Sequence, residues 1–120
     1  MSNNVGPVQA QFAATVDGNQ TVIYYRVSNQ TEGDLLLDEA SLRVTVAGNR
    51  LPHRATKTTV RVPPGRTEYG TVILTSVPQS FRVEWAASRF GTGQSVQLSQ
   101  IVNVDTNAFS PKWNQTVPGR

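Results

Sequence analysis

The chain has 120 residues, of which 38% are hydrophobic and 16% charged, with a formal net charge of +3 and no cysteine. That length suits one domain and lets roughly two-thirds of the unfolded chain's surface be buried, so a core is possible without staples. The composition excludes a disordered chain, and the lack of cysteine excludes a disulfide framework, a zinc–thiolate site and a cysteine nucleophile.

Apolar residues recur at period two and are interrupted by turn residues at short intervals, which predicts an all-β sandwich or barrel. Val8, Ala10, Phe12, Ala14 and Val16 share one parity and predict a first strand. Asp17-Gly18-Asn19-Gln20 predicts a hairpin turn, with Asp-Gly supplying positive φ. Thr21 to Ser28 is dense in β-branched and aromatic residues and predicts the second strand. After a polar loop, Leu35 to Leu37 lead toward Ser41–Val46, with Leu42, Val44 and Val46 facing inward. The pattern leaves Asp38-Glu39-Ala40 open between one helical turn and a strand crossover.

Gly48-Asn49 predicts a turn. Arg50 to Thr58, polar and containing Pro52, predicts an edge strand or a long loop. Thr59 to Val62 is a short strand before the turn Pro63-Pro64-Gly65-Arg66. Glu68 to Thr75 follows, with Tyr69, Val72 and Leu74 expected in the core. Phe81, Val83 and Trp85 alternate with Arg82, Glu84 and Ala86, a half-buried strand. Gly91-Thr92-Gly93 turns the chain into Ser95–Val104, the last strand. The expected division is a β-sandwich domain over 1–105 and a C-terminal tail over 106–120.

Two segments carry a resemblance. Tyr24-Tyr25-Arg26-Val27-Ser28-Asn29-Gln30-Thr31 is a strand closed by Asn and a small polar turn. Pro64-Gly65-Arg66-Thr67-Glu68-Tyr69-Gly70-Thr71-Val72-Ile73-Leu74 is a Pro-Gly-x-x-x-x-Gly pattern with an apolar run, and Val77-Pro78 follows. Over roughly residues 20–86 the chain resembles the immunoglobulin-like modules of bacterial surface proteins and lipoproteins. The resemblance implies an immunoglobulin-like antiparallel β-sandwich of about seven to eight strands, a fold of this size, in an extracytoplasmic compartment with an adhesive or scaffolding role. The lipoprotein cysteine is missing, so membrane anchoring is not implied.

Charge is unevenly spread. Residues 1–42 set Arg26 against Asp17, Glu32, Asp34, Asp38 and Glu39, a net −4. Residues 43–82 set seven cations against Glu68 alone, a net +6. Arg50, Arg54, Lys57, Arg61 and Arg66 fall within seventeen residues of one another. Sharing a face, they would hold an acidic protein surface or an anionic surface polymer. No aromatic residue lies within 43–66, which speaks against nucleic acid, since such sites interleave stacking rings with their cations.

Catalytic signals are missing. His53, the single histidine, lies in Arg50-Leu51-Pro52-His53-Arg54 and is expected to be a solvated loop residue, because a site needs several convergent groups. Asp34, Asp38 and Glu39 could offer oxygens to a hard cation but lack the EF-hand spacing, and a solvated acidic loop is the expectation. No metal or cofactor is expected, and no run of apolar residues is long enough for a membrane-spanning helix. Residues 1–5 have neither a basic nor an apolar signal region, so either no signal peptide is used or one has been removed. Asn-Gln-Thr triplets at Asn19, Asn29 and Asn114 match the glycosylation acceptor pattern and are expected to be coincidental.

The resulting expectation is a non-enzymatic extracytoplasmic binding or scaffolding module, whether secreted, periplasmic or at the cell surface, with Arg50, Arg54, Lys57, Arg61 and Arg66 as its contact surface. The alternative is a structural assembly subunit of virion type, a homo-oligomer joined by charge complementarity and by Phe109 and Trp113 of the tail.

Overall fold

A computed structural model describes residues 8–31, 33–57, 59–89, 95–105 and 117–118. Among them the chain is all-β. The first hairpin joins β1 (Val8–Asp17) to β2 (Gln20–Asn29) in continuous antiparallel register from Val8↔Asn29 to Asp17↔Gln20. Its two-residue loop has positive φ at Gly18 (64°), one of the two residues of the Asp-Gly pair that tolerate it.

β3 (Leu35–Asp38) is followed by one 3-10 turn, Glu39–Ser41, and then β4 (Arg43–Val46). The open choice at Asp38-Glu39-Ala40 is therefore resolved as a helical turn. Asp38 caps it by accepting from the Ala40 N–H at 3.0 Å, which satisfies a turn donor that has no internal partner. β3 and β4 both lie against β9 (Ser80–Arg89), through Leu35↔Arg89 and Arg43↔Glu84, so they act as one strand broken in the middle. The break turns Glu39 inward.

The next turn lies one residue earlier than the sequence reading set it. Ala47 (φ 50°) and Gly48 (φ 82°) form it, and Asn49 already belongs to β5 (Asn49–Leu51). Pro52 separates β5 from β6 (His53–Ala55), because a residue without an N–H cannot continue a ladder. β7 (Thr59–Val62) and β8 (Arg66–Leu74) follow. The Pro63–Gly65 turn between them is held by Gly65 N–H to Asn29 O at 2.6 Å. β10 (Ser95–Asp105) and β11 (Val117–Pro118) complete the fold.

The pairings make a path β5-β4-β9-β10-β1-β2-β8-β6, with β3 on β9, β7 on β3 and β11 on β1. Every pairing is antiparallel except β1 with β10, so the sheet is mixed and not purely antiparallel as expected. Eleven strands are described where seven to eight were expected, chiefly because the 3-10 turn and Pro52 cut longer stretches into short pieces. The β11 pairing, Gln9↔Pro118 and Ala10↔Val117, brings the end of the expected tail onto β1.

The topology leaves one margin of the molecule to be closed by the segment from β5 to β8. Along it the chain pairs in turn with β4, with β8, with β3 and with β2, crossing back and forth between the two ends of the path. The core is a continuous cluster that includes Phe12, Ile23, Leu35, Leu37, Val62, Leu74, Val83, Trp85 and Leu98, all at most 1% exposed. Tyr25 meets Trp85 edge to face, with ring centroids 4.9 Å apart.

Candidate functional site

The laced margin is fastened from inside by one carboxylate. Glu39, fully buried, accepts from the Thr56 and Lys57 N–H groups at 2.8 Å each through Oε1. Its Oε2 accepts from the Tyr25 hydroxyl. The Glu39 carbonyl takes His53 Nε2 at 2.8 Å, and the Trp85 indole donates to the neighbouring Asp38 carbonyl at 2.9 Å. A buried charge persists only when hydrogen-bonded in this way, and each N–H it takes is a backbone donor that has no strand partner.

Burial raises the Tyr25 hydroxyl's pKa far above the usual tyrosine value, and its bond to Glu39 and the charges of Glu39 and Glu68 add to the effect. The folded state then holds this proton more tightly than the unfolded chain does. The associated stability is intact below the unfolded tyrosine value of about 10 and is lost as pH rises above it, at up to about 1.4 kcal/mol per pH unit. Urea midpoints from pH 8 to 11.5 should fall more steeply for the wild type than for Tyr25→Phe; equal slopes would contradict the assignment.

Tyr25 also explains a glycine. It pairs across strands with Gly70, and a Cβ added there would lie 2.2 Å from the Tyr25 hydroxyl oxygen and 2.4 Å from Cζ. The ring occupies the inward place that a residue-70 side chain would take. Gly70→Ala should therefore cost about 2 kcal/mol through overpacking and should loosen the Tyr25–Glu39 bond, both readable by thermal unfolding and by Tyr25 fluorescence.

On the outer side of the same place is an open groove of about 270 Å³ lined by Tyr24, Tyr25, Thr56, Lys57, Tyr69, Gly70 and Thr71. Tyr69, expected in the core, is 56% exposed. Val72 and Leu74 are of the opposite parity and are buried, so strict alternation puts Tyr69 outside and leaves Gly70 on the core side. Tyr24 is half-buried beside it on β2. Thr56 Oγ1 donates to Thr71 O at 2.7 Å and Lys57 Nζ to Tyr69 O at 2.8 Å.

The five cations of the expected contact surface are all exposed and all lie along the laced segment: Arg50 on β5, Arg54 on β6, Lys57 after β6, Arg61 on β7 and Arg66 at the start of β8. Arg61 forms an ion pair with Asp34, donating through Nε at 2.7 Å. The aromatic rings missing from residues 43–66 are supplied from outside that window, by Tyr24 and Tyr69 beside Lys57. The sequence reading missed both; the signal available for Tyr69 was its parity.

Other expectations change. His53 is not a solvated loop residue but a half-buried member of β6 that bonds the Glu39 carbonyl. Asp34, Asp38 and Glu39 do not converge on a cation: one pairs with Arg61, one caps the 3-10 turn and one is buried. With Asp34 and Glu39 engaged within the chain, less of the acidic first third is left to meet a neighbouring copy. Asn29 is fully buried, donating to Gly33 O and Val62 O at 2.8 Å each and accepting from Thr31 N at 2.9 Å and Oγ1 at 2.6 Å, so its sequon residues form an internal clamp. Phe109, Trp113 and Asn114 lie outside the described residues. Among the described residues, no group of three metal-ligating side chains gathers and no helix is long and apolar enough to cross a membrane.

No family model and no curated protein matches the chain. Among solved structures it is similar to a FixG-related protein from Vibrio parahaemolyticus, with a TM-score of 0.53 and 13% identity over 84% of this chain and 99% of that one. It is likewise similar to the yjhA protein from Bacillus subtilis, with a TM-score of 0.53 and 8% identity over 79% of this chain and 83% of that one. At these identities the likeness shows a shared all-β fold and nothing of activity.

Proposed function

We propose that the chain is a non-enzymatic, immunoglobulin-like sandwich module that works outside the cytoplasm and holds another protein at its laced basic margin. The observation that carries this reading is the groove where Tyr24 and Tyr69 meet Lys57, within a segment that also bears Arg50, Arg54 and Arg66. Tyrosine rings beside cations are the usual anchors of a protein contact, because they bring large rigid area at low entropic cost. The buried side chains of Glu39 and Asn29 and the half-buried His53 each have structural partners, which favours binding over catalysis. The parallel β1–β10 pair and the strand broken between β3 and β4 fit a sandwich whose two halves meet along β10.

The reading is tested by placing a photo-crosslinking residue at position 69 or at exposed Ile101 of β10, in cells that naturally make the protein. A crosslinked adduct should form at 69 in the extracytoplasmic fraction, disappear with Lys57→Glu, and be absent at 101. Adducts of equal yield at both positions, or none at 69, would reject this surface.

A further inference from the structure

β8 has two edges, and only one is fully paired. β2 covers it from Arg66 to Leu74. On the other edge β6 pairs only from Val72 to Leu74, through Ala55↔Val72 and His53↔Leu74, and then the chain leaves for β7. From Arg66 to Thr71 that outer edge has no strand partner among the described residues. Six residues of extended chain offer about 20 Å of edge.

Two side chains identify which groups face the gap. Thr56 Oγ1 reaches Thr71 O and Lys57 Nζ reaches Tyr69 O, so both carbonyls point away from β2. In an antiparallel strand the N–H of a residue points to the same side as its C=O. The Tyr69 and Thr71 N–H groups therefore face the gap too, where no strand pairs with them among the described residues. Lysine laid over an unpaired edge is the device by which proteins keep strands from adding there. Here the device is one exposed, displaceable side chain, and it sits in an open groove flanked by two tyrosines.

We propose that the outer edge of β8, from Arg66 to Thr71, is a docking site for an extended acidic peptide segment, which adds as a strand alongside β8 in continuation of β6. This rests on the protein-binding reading above and gives it a mode. Main-chain hydrogen bonds to Tyr69 and Thr71 supply the register. Alternate side chains of the segment rest on Tyr69 and Tyr24. The acidic character follows from Arg54, Lys57 and Arg66, exposed along this edge with no carboxylate partner among the described residues. On docking, the Lys57 ammonium leaves the Tyr69 carbonyl and meets a carboxylate of the segment, which preserves charge pairing while freeing the backbone acceptor.

The test uses amide chemical shifts and hydrogen exchange on the full chain, titrated with a soluble decapeptide alternating Glu with Val and Thr. Three comparison probes are the same peptide N-methylated at alternate residues, its Lys-for-Glu version, and oligogalacturonate as a polyanion without peptide groups. The acidic peptide should shift and protect the Tyr69 and Thr71 amides. N-methylation should weaken binding at least tenfold, and the lysine version should weaken it at least as much. Lys57→Glu should do the same while leaving the unfolding midpoint nearly unchanged, since Lys57 is exposed. Equal binding of the N-methylated peptide or of oligogalacturonate would overturn strand addition and leave a charge-only basic surface. No shift at Tyr69 and Thr71 with the acidic peptide at millimolar concentration would overturn strand addition as well; should the crosslinking at position 69 also fail, the protein-binding reading falls with it.

Discussion

Glu39→Ala is expected to destabilise the chain by about 3–5 kcal/mol, the cost of breaking a buried charged network by removing one member. The substitution strands the Thr56 and Lys57 N–H groups and the Tyr25 hydroxyl, the last of them fully buried. Glu39→Gln keeps one acceptor oxygen for the two backbone donors and should cost less, about 1–2 kcal/mol. Urea denaturation of the two variants checks this order. A Gln variant as damaged as the Ala variant would show that the charge of Glu39, more than its acceptor geometry, holds the margin. The consequence for the groove is direct, because Thr56 and Lys57 line it and are held there by Glu39.

Asn29→Ala should cost about 3 kcal/mol, since a fully buried amide would lose partners on both its oxygen and its nitrogen. Its two N–H donors tie the end of β2 to Gly33 and to Val62 of β7, and its oxygen organises the turn through Thr31. Asn29→Asp should be no better than Ala, because a carboxylate turned toward the Gly33 and Val62 carbonyls repels both. A denaturation midpoint for Asp close to wild type would contradict the donor assignment. The same occupancy means that Asn29 should remain unglycosylated in the folded chain, whatever its sequence context.

The strands themselves were readable because their burial is one-sided. Phe81, Val83 and Trp85 alternate with Arg82, Glu84 and Ala86, and the first three are at most 2% exposed. The five cations were readable as a list of residues but not as a place. Only the pairing of β5 with β4, β6 with β8 and β7 with β3 puts those residues along one laced margin, and such non-local pairing leaves no mark on local periodicity. Glu39 was hidden for a related reason. It looks like one acid among four in an exposed loop, and what buries it is the 3-10 break that its own neighbours create. Tyr69 is misplaced in sequence because its apolar bulk outweighs its parity, and Gly70, visible there only as the last position of a Pro-Gly-x-x-x-x-Gly pattern, is the floor beneath the Tyr25 ring.

Glu39 fastens the segment that builds the groove, and amide hydrogen exchange at Thr56 and Lys57 reads that fastening at its two backbone donors. Both N–H groups lie outside any strand ladder and are bonded to a buried carboxylate. They should exchange as slowly as the core amides of β2 and β8, and in Glu39→Gln they should be the first to speed up. Exchange at the rate of a free loop in the wild-type chain would contradict the claim.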